Sequence, residues 1–146
     1  MATESALARY SYVTLIRKQV FMIRTEVISP NALKIIAPEK LKVEDFRQIA
    51  PQVDSIIRRY GKIRLLIDAS QFSGWENIAA FENHAAFVKH HQDKVQRIAV
   101  IVGHEWQHWL VGTVRIFVHP EVKAYDKGQE REALHWIAAE SLADGR

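Results

Sequence analysis

The chain has 146 residues, of which 48% are hydrophobic and 25% charged, and it contains no cysteine. This composition is typical of a globular protein and excludes a disulfide framework, a thiolate zinc site and a cysteine nucleophile. The formal net charge of +3 arises within residues 1–24, so the rest of the chain is neutral and lacks the basic stripe of a nucleic-acid binder. The apolar runs are much shorter than the about 20 residues of a membrane span, and we expect a cytoplasmic protein without a signal peptide or transmembrane segment.

The pattern of hydrophobic residues changes at Met22. Residues 1–21 have no clean hydrophobic period and are predicted to form an N-terminal extension to one α/β domain over residues 22–146. The segment from Met22 to Ile28 alternates and is rich in β-branched residues, and residues 33–37 form a second such run. Turn chemistry at Ser29-Pro30-Asn31 joins the two runs, which predicts an antiparallel hairpin.

Helical patterns then alternate with buried-strand patterns. The first helical period runs from Val43 to Tyr60, before Gly61, and Pro51 is expected to kink or restart it. The later elements, in order, are a strand at 63–67, a helix at 76–91 with an apolar stripe of Ile78, Phe81, Ala85 and Val88, a strand at 98–102, a helix at 105–117, a strand at 122–125 and a helix at 129–142. This order, ββαβαβαβα, predicts an α/β fold with a mixed, mostly parallel five-stranded sheet and four helices.

One motif resembles a zinc site. The segment His104-Glu105-Trp106-Gln107-His108 matches H-E-x-x-H, in which two histidines one helical turn apart hold zinc and the glutamate acts as a base. The motif directly follows a strand and Gly103, which places His104 at a helix cap. A third ligand would come from His119, Glu130 or Glu132. We interpret His104 and His108 as a solvated pair, expect no metal or other cofactor, and keep a zinc hydrolase as a second alternative.

Other polar residues offer weaker patterns. Asp68 ends the central strand, where it lines a pocket or caps the following turn. No G-x-S-x-G elbow surrounds Ser70 or Ser73, and no glycine-rich phosphate loop is present in the sequence. The remaining helical histidines are interpreted as surface residues: His84, His90 and His91.

The chain contains four tryptophans, which is many for its length. Trp106 and Trp109, with Leu110, are predicted to form the core face of their helix. Trp75 follows Ser73-Gly74 in a loop, and we expect it to be exposed as part of a contact surface.

Three segments together carry a family resemblance: Tyr60-Gly61-Lys62-Ile63-Arg64-Leu65-Leu66, Phe72-Ser73-Gly74-Trp75, and Arg97-Ile98-Ala99-Val100 followed by Gly103 and Trp106. Over about residues 22–140 the chain resembles the SpoIIAA-like group of small bacterial proteins, which is related to STAS domains and similar in shape to lipid-binding CRAL-TRIO domains. STAS domains of this kind are switched by phosphorylation of an Asp-Ser-x-Gly loop. Gln71 and Phe72 stand where that aspartate and serine would lie, so the chain departs from the pattern, and Ser70 or Ser73 is left as a substitute.

The resemblance implies a non-enzymatic binding or regulatory module, with a protein–protein interaction as the first hypothesis. The alternative is the binding of a lipid or other apolar small molecule in a cavity like that of CRAL-TRIO domains. Self-association as a homodimer is also considered, because an edge strand and exposed aromatic residues favour pairing. The predicted ligand or partner surface consists of Asp68, Ser70, Phe72, Ser73, Gly74, Trp75, Glu76, His104 and Trp106.

Overall fold

The computed structural model describes residues 22–115 and 118–139. The predicted extension at residues 1–21 and the predicted end of the last helix, at residues 140–142, lie outside this part of the chain. Short 3₁₀ turns at Gln92–Lys94 and Lys127–Gln129 supplement the main elements. The main elements, in chain order, are β1 Arg24–Ser29, β2 Ala32–Ile36, β3 Lys40–Leu41, α1 Val43–Tyr60, β4 Ile63–Ala69, β5 Gly74–Trp75, α2 Ile78–His91, β6 Val95–Val102, α3 Glu105–Val114, β7 Glu121–Asp126 and α4 Glu130–Ala138.

The main sheet has five strands in the order β1-β2-β4-β6-β7. Strands β1 and β2 form the predicted antiparallel hairpin, and each of the other pairs is parallel. The register places Leu65 beside Ile98 and Ile98 beside Val122, so one row of apolar side chains crosses the sheet. The predicted element order and mostly parallel sheet are therefore confirmed. Within the described ranges, no helix combines the length and the apolarity needed to span a bilayer.

A second, two-stranded sheet was not predicted. Strand β3 pairs in parallel with β5, with Lys40 beside Gly74 and Leu41 beside Trp75. Each strand has only two residues, which is too short for a period of two to be recognised in sequence. This sheet holds the loop after β4 against the segment that precedes α1.

The ends of α1 follow from local chemistry. The Asp45 carboxylate accepts a hydrogen bond from the Lys42 backbone amide at 2.8 Å, which satisfies a free donor at the helix start. At the other end Gly61 has a φ of 81° and donates its amide to the Ile57 carbonyl, as a left-handed terminating residue does. The helix continues through Pro51, whose ring lies on the exposed side, so the proline does not divide it.

The sheet has a core on each face. Helix α4 covers one face, where Leu66, Ala99 and Ile101 pack against Ala133 and Ile137. Helices α1, α2 and α3 lie on the other face, above the alternate residues of the same strands. The buried cluster there consists of Ile23, Leu33, Ile35, Ala37, Leu41, Phe46, Ile49, Val53, Ile63, Leu65, Ala69, Phe72 and Val95.

Candidate functional site

An apolar cavity of about 240 Å³ lies on the three-helix face of the sheet. Its floor comes from alternate residues of the strands, including Leu65 and Ile67 of β4 and Ile98 and Val100 of β6. An engineered cavity of about 150 Å³ binds benzene, so by proportion this volume accommodates about ten carbon atoms. The cavity is therefore large enough for a small apolar molecule.

The walls of the cavity come from the helices. Helix α2 contributes His84, Phe87, Val88 and His91, and the facing wall on α3 consists of Trp106, Gln107, Leu110, Val111 and Val114. Trp106 and Val114 are 42% and 39% exposed, so the α3 wall extends to the protein surface. The cavity therefore lies between α2 and α3 and reaches the surface along α3.

His84 is a polar residue in this apolar lining. Its Nδ1 accepts a hydrogen bond from the Trp75 indole Nε1 at 3.0 Å, and its ring stacks on Phe46 with centroids 5.4 Å apart. Burial lowers the pKa of His84 from 6.5 to about 4, so the imidazole is neutral near pH 7. The prediction of a surface histidine is wrong for His84.

His91 is also buried, at 7% exposure, whereas His90 is exposed as predicted. The His91 Nε2 lies 2.8 Å from the Asp54 carboxylate on α1, and its Nδ1 lies 2.8 Å from the Phe87 carbonyl oxygen. Both ring nitrogens are thus engaged within the protein. His91 fastens α2 to α1 at the cavity wall, and the prediction of a surface histidine is wrong here too.

Gln107 joins the loops at the carboxyl edge of the sheet. Its side-chain oxygen accepts from the backbone amides of Gly103 and His104, and its side-chain nitrogen donates to the carbonyls of Ala69 and Phe72. The residue is 4% exposed, and its amide group has partners at both ends. The start of α3 is therefore held in place against the loop that follows β4.

The polar residues of that loop are engaged locally. The Asp68 carboxylate accepts from the backbone amide and hydroxyl of Ser70, at 3.0 and 2.7 Å. Asp68 is not among the residues that line the cavity, so of its two interpretations the structure favours the turn cap. Ser73 is exposed and donates its hydroxyl to the Glu39 carbonyl at 3.1 Å, while Glu76 is exposed beside β5.

The aromatic residues at this edge differ from the expectation. Trp75 is half-buried in β5, where its ring packs edge-on against Phe72 and Phe81 at 5.1 and 4.9 Å. Trp106 meets Phe72 at 6.1 Å and is partly exposed, and Trp109 is 71% exposed. The predicted exposure of Trp75 and the predicted core position of Trp109 are therefore wrong, whereas Trp106 and Leu110, of the same predicted face, line the cavity.

The stripe predicted for α2 is wrong at Ile78, Phe81 and Ala85, which are exposed, and correct at Val88, which lines the cavity. Ile78 and Phe81 are 77% and 51% exposed. The inward face instead contains Ala80, His84, Phe87 and His91, at spacings of four, three and four residues. This face has the same helical period, but two of its residues are histidines, so it does not appear as an apolar stripe in the sequence. Phe87, at the correct spacing from both histidines, was the available signal.

Within the described part of the chain, the histidines of the H-E-x-x-H motif do not join other metal-ligating side chains in a cluster. His104 has extended backbone angles at the start of α3, and His108 lies 2.8 Å from the exposed Asp126 carboxylate. The three third-ligand candidates have other partners. Glu130 pairs with Lys34, His119 lies 3.5 Å from Asp93, and Glu132 accepts a hydrogen bond from the Gln129 side chain at 3.2 Å. Across residues 22–115 and 118–139, no group of three metal-ligating side chains is brought together.

Comparison with known proteins agrees with this architecture. The model of the SpoIIAA-like family matches residues 32–138. The fold is similar to the crystal structure of an uncharacterized protein of the DUF3478 family, with a SpoIIAA-like fold, from Shewanella loihica PV-4. That similarity has a TM-score of 0.67 and 28% identity, and it covers 80% of this chain and 92% of the other. No curated protein matches the chain.

Proposed function

The chain belongs to the SpoIIAA-like family, and we propose that it is a non-enzymatic binding module whose cavity holds an apolar small molecule. The observation that carries this proposal is the cavity of about 240 Å³ between the sheet, α2 and α3. Small-molecule sites are typically concave and apolar, with few polar groups that orient the ligand. The described lining has this character, because His84, His91, Gln92 and Gln107 are its polar members.

The energetics favour an occupant. Transfer of nine methylene-sized groups from water contributes up to about 7 kcal/mol. Such a gain corresponds to a dissociation constant on the order of 10 µM. An apolar molecule with about nine carbons is therefore expected to bind at micromolar concentration.

Filling the cavity from within tests the proposal. Val100 lies on the cavity floor, so Val100→Phe places a phenyl ring where the ligand would lie. Val27→Phe is the matched control, because Val27 is 64% exposed on the edge strand β1. We expect propylbenzene, a nine-carbon hydrocarbon soluble enough to reach tenfold its dissociation constant, to raise the melting temperature of the wild-type chain and of Val27→Phe by about 3–5 °C. Val100→Phe should show no shift, and equal shifts in all three proteins would contradict the proposal.

A second candidate function, protein–protein interaction, is supported by exposed apolar residues near the α3 wall. Ile78, Phe81, Trp106 and Trp109 are between 42% and 77% exposed, and the two tryptophans lie three positions apart on α3. Exposed patches of this kind mark interaction sites, and a second copy of the chain is the simplest partner. Sedimentation of a dimer that Trp109→Glu dissociates and Val27→Glu preserves would favour this candidate. A monomer at all concentrations would show that the proposed protein–protein interaction is not self-association.

A further inference from the structure

The hydrogen bond between Trp75 and His84 fixes where the imidazole carries its proton. An indole N–H only donates, so His84 Nδ1, which lies 3.0 Å from Trp75 Nε1, must accept. A neutral imidazole has one N–H, and that proton therefore lies on Nε2. Because burial lowers the pKa of His84 to about 4, this tautomer dominates at neutral pH.

The Nε2–H group of His84 is available to a ligand. Among the residues that the structure describes, no protein atom accepts a hydrogen bond from this group. The nitrogen is also not fully buried, since it is absent from the fully buried atoms without a partner. His84 lines the cavity, and stacking on Phe46 with a 27° angle between the rings holds the imidazole in place. A donor that is fixed in this way needs little reordering when an acceptor arrives.

The other polar lining residues are less suited to this role. His91 has both ring nitrogens engaged by Asp54 and the Phe87 carbonyl, and Gln107 has partners at both ends of its amide. Gln92 lies beyond the end of α2, where its side-chain oxygen accepts from the exposed His119 amide at 3.3 Å. The indole N–H of Trp106 is a further donor of the lining, but this residue is 42% exposed. His84 is therefore the donor best placed to orient a ligand within the apolar lining.

We propose that His84 Nε2–H is the polar anchor of the cavity, and that the ligand is an apolar molecule with one neutral carbonyl oxygen, such as a ketone or an ester. This inference rests on the proposed function. A carboxylate fits less well, because the described lining contains no lysine or arginine to balance a buried charge. The hydrogen bond makes His84 a specificity-determining residue, and Trp75 a positioning residue that sets its tautomer.

A matched pair of probes isolates this hydrogen bond. Nonane and 2-nonanone have the same number of carbons and differ by one carbonyl oxygen. Headspace gas chromatography gives the free concentration of each probe over solutions of wild type, His84→Phe and the control His135→Phe, whose histidine is exposed on α4 at the opposite face of the sheet. The ratio of the two dissociation constants, compared between proteins, cancels the different hydration of the probes. His84→Phe keeps an aromatic ring against Phe46, slightly larger than the imidazole, and removes both the Nε2–H donor and the Nδ1 acceptor of Trp75.

We expect His84→Phe to lower the relative affinity for 2-nonanone roughly tenfold, because the carbonyl is then buried without a donor. His135→Phe should leave the ratio unchanged. The same ratio in wild type and His84→Phe would overturn the role of His84 while leaving the cavity proposal intact. Failure of both probes to bind the wild-type chain would overturn the proposed function and this inference with it.

A measurement on the wild-type chain removes dependence on how the variant folds. In protein labelled with ¹⁵N-histidine, 2-nonanone should move the Nε2 and Hε2 resonances of His84 downfield, as a new hydrogen bond does. Nonane should leave them in place, and the resonances of His90, which does not line the cavity, should respond to neither probe. Equal responses of His84 to both probes would contradict the proposed anchor.

Discussion

Gly103 lies where the loop after β6 passes the loop after β4. A Cβ atom at this position would be 2.4 Å from the Ser70 carbonyl oxygen, a distance that forces the backbone to move. The amide of Gly103 also donates to Gln107, so movement here disturbs the start of α3. We expect Gly103→Ala to lower the free energy of unfolding by about 2 kcal/mol, measured by urea denaturation.

Gly112 provides the control of opposite sign. It lies within α3, and a Cβ atom there meets nothing within 4 Å. Alanine in a helix interior is more favourable than glycine by roughly 0.5–1 kcal/mol. Gly112→Ala should therefore stabilise the chain by that amount, whereas a loss of stability in both variants would contradict the local origin of the Gly103 effect.

The acid sensitivity of the fold should depend on His84. Its pKa is about 4 in the folded chain and 6.5 when unfolded, so acid protonates the unfolded state first. The stability contributed by the neutral ring is complete above pH 6.5 and is lost as the pH falls toward 4, by up to about 3 kcal/mol. His84→Phe removes this loss, so the stability of the variant relative to wild type should rise between pH 7 and pH 4. Urea denaturation across this range would contradict the account if the difference between the two proteins stayed constant.

At the scale of elements, two buried arginines hold the end of α4 against the sheet. Arg64 of β4 donates to the carbonyls of Ile137 and Ala139, and Arg97 of β6 donates to those of Trp136 and Ala139. Cations favour the carboxyl end of a helix, where free carbonyls carry partial negative charge. These contacts join α4 to the two central strands.

Loss of one arginine should loosen α4 selectively. We expect Arg64→Met to lower the free energy of unfolding by about 2–3 kcal/mol, because the carbonyls lose a charged donor. Hydrogen exchange should accelerate at the amides of α4 more than at those of α1. Arg131→Met is the control, since Arg131 is exposed on α4 and should change stability by less than about 0.5 kcal/mol. Uniform acceleration of both helices would count against a specific cap.

The elements also show how much the sequence predicts. The strands β4 and β6 were predicted from apolar runs, because both of their faces are covered by helices and no polar alternation is needed. The inward faces of α2 and α3 were not, because His84, His91 and Gln107 are polar residues that are buried through tertiary hydrogen bonds. A hydrophobic period assigns such residues to solvent, and it places Phe81 and Trp109 in the core instead.

At the scale of the whole molecule, the order of elements in the sequence predicts the sheet but not the cavity. Right-handed crossovers between parallel strands limit the topology strongly, so ββαβαβαβα was sufficient to predict the mostly parallel sheet. The cavity depends on the separation of α2 and α3 above the residues of β4 and β6, and no local pattern encodes that distance. The family resemblance supplied the apolar-ligand hypothesis, and the geometry now supports it over a site built from the H-E-x-x-H histidines.

Native mass spectrometry of the chain purified without a metal-affinity tag tests the central claim most directly. The wild-type chain and Val27→Phe should carry the added mass of a small apolar molecule, and Val100→Phe, with its cavity filled, should show the mass of the bare chain. A bound molecule on Val100→Phe as well as on the wild-type chain, or a bare wild-type chain in the presence of excess 2-nonanone, would contradict a ligand in the cavity. An added mass of zinc on the wild-type chain would instead support a metal site at His104 and His108.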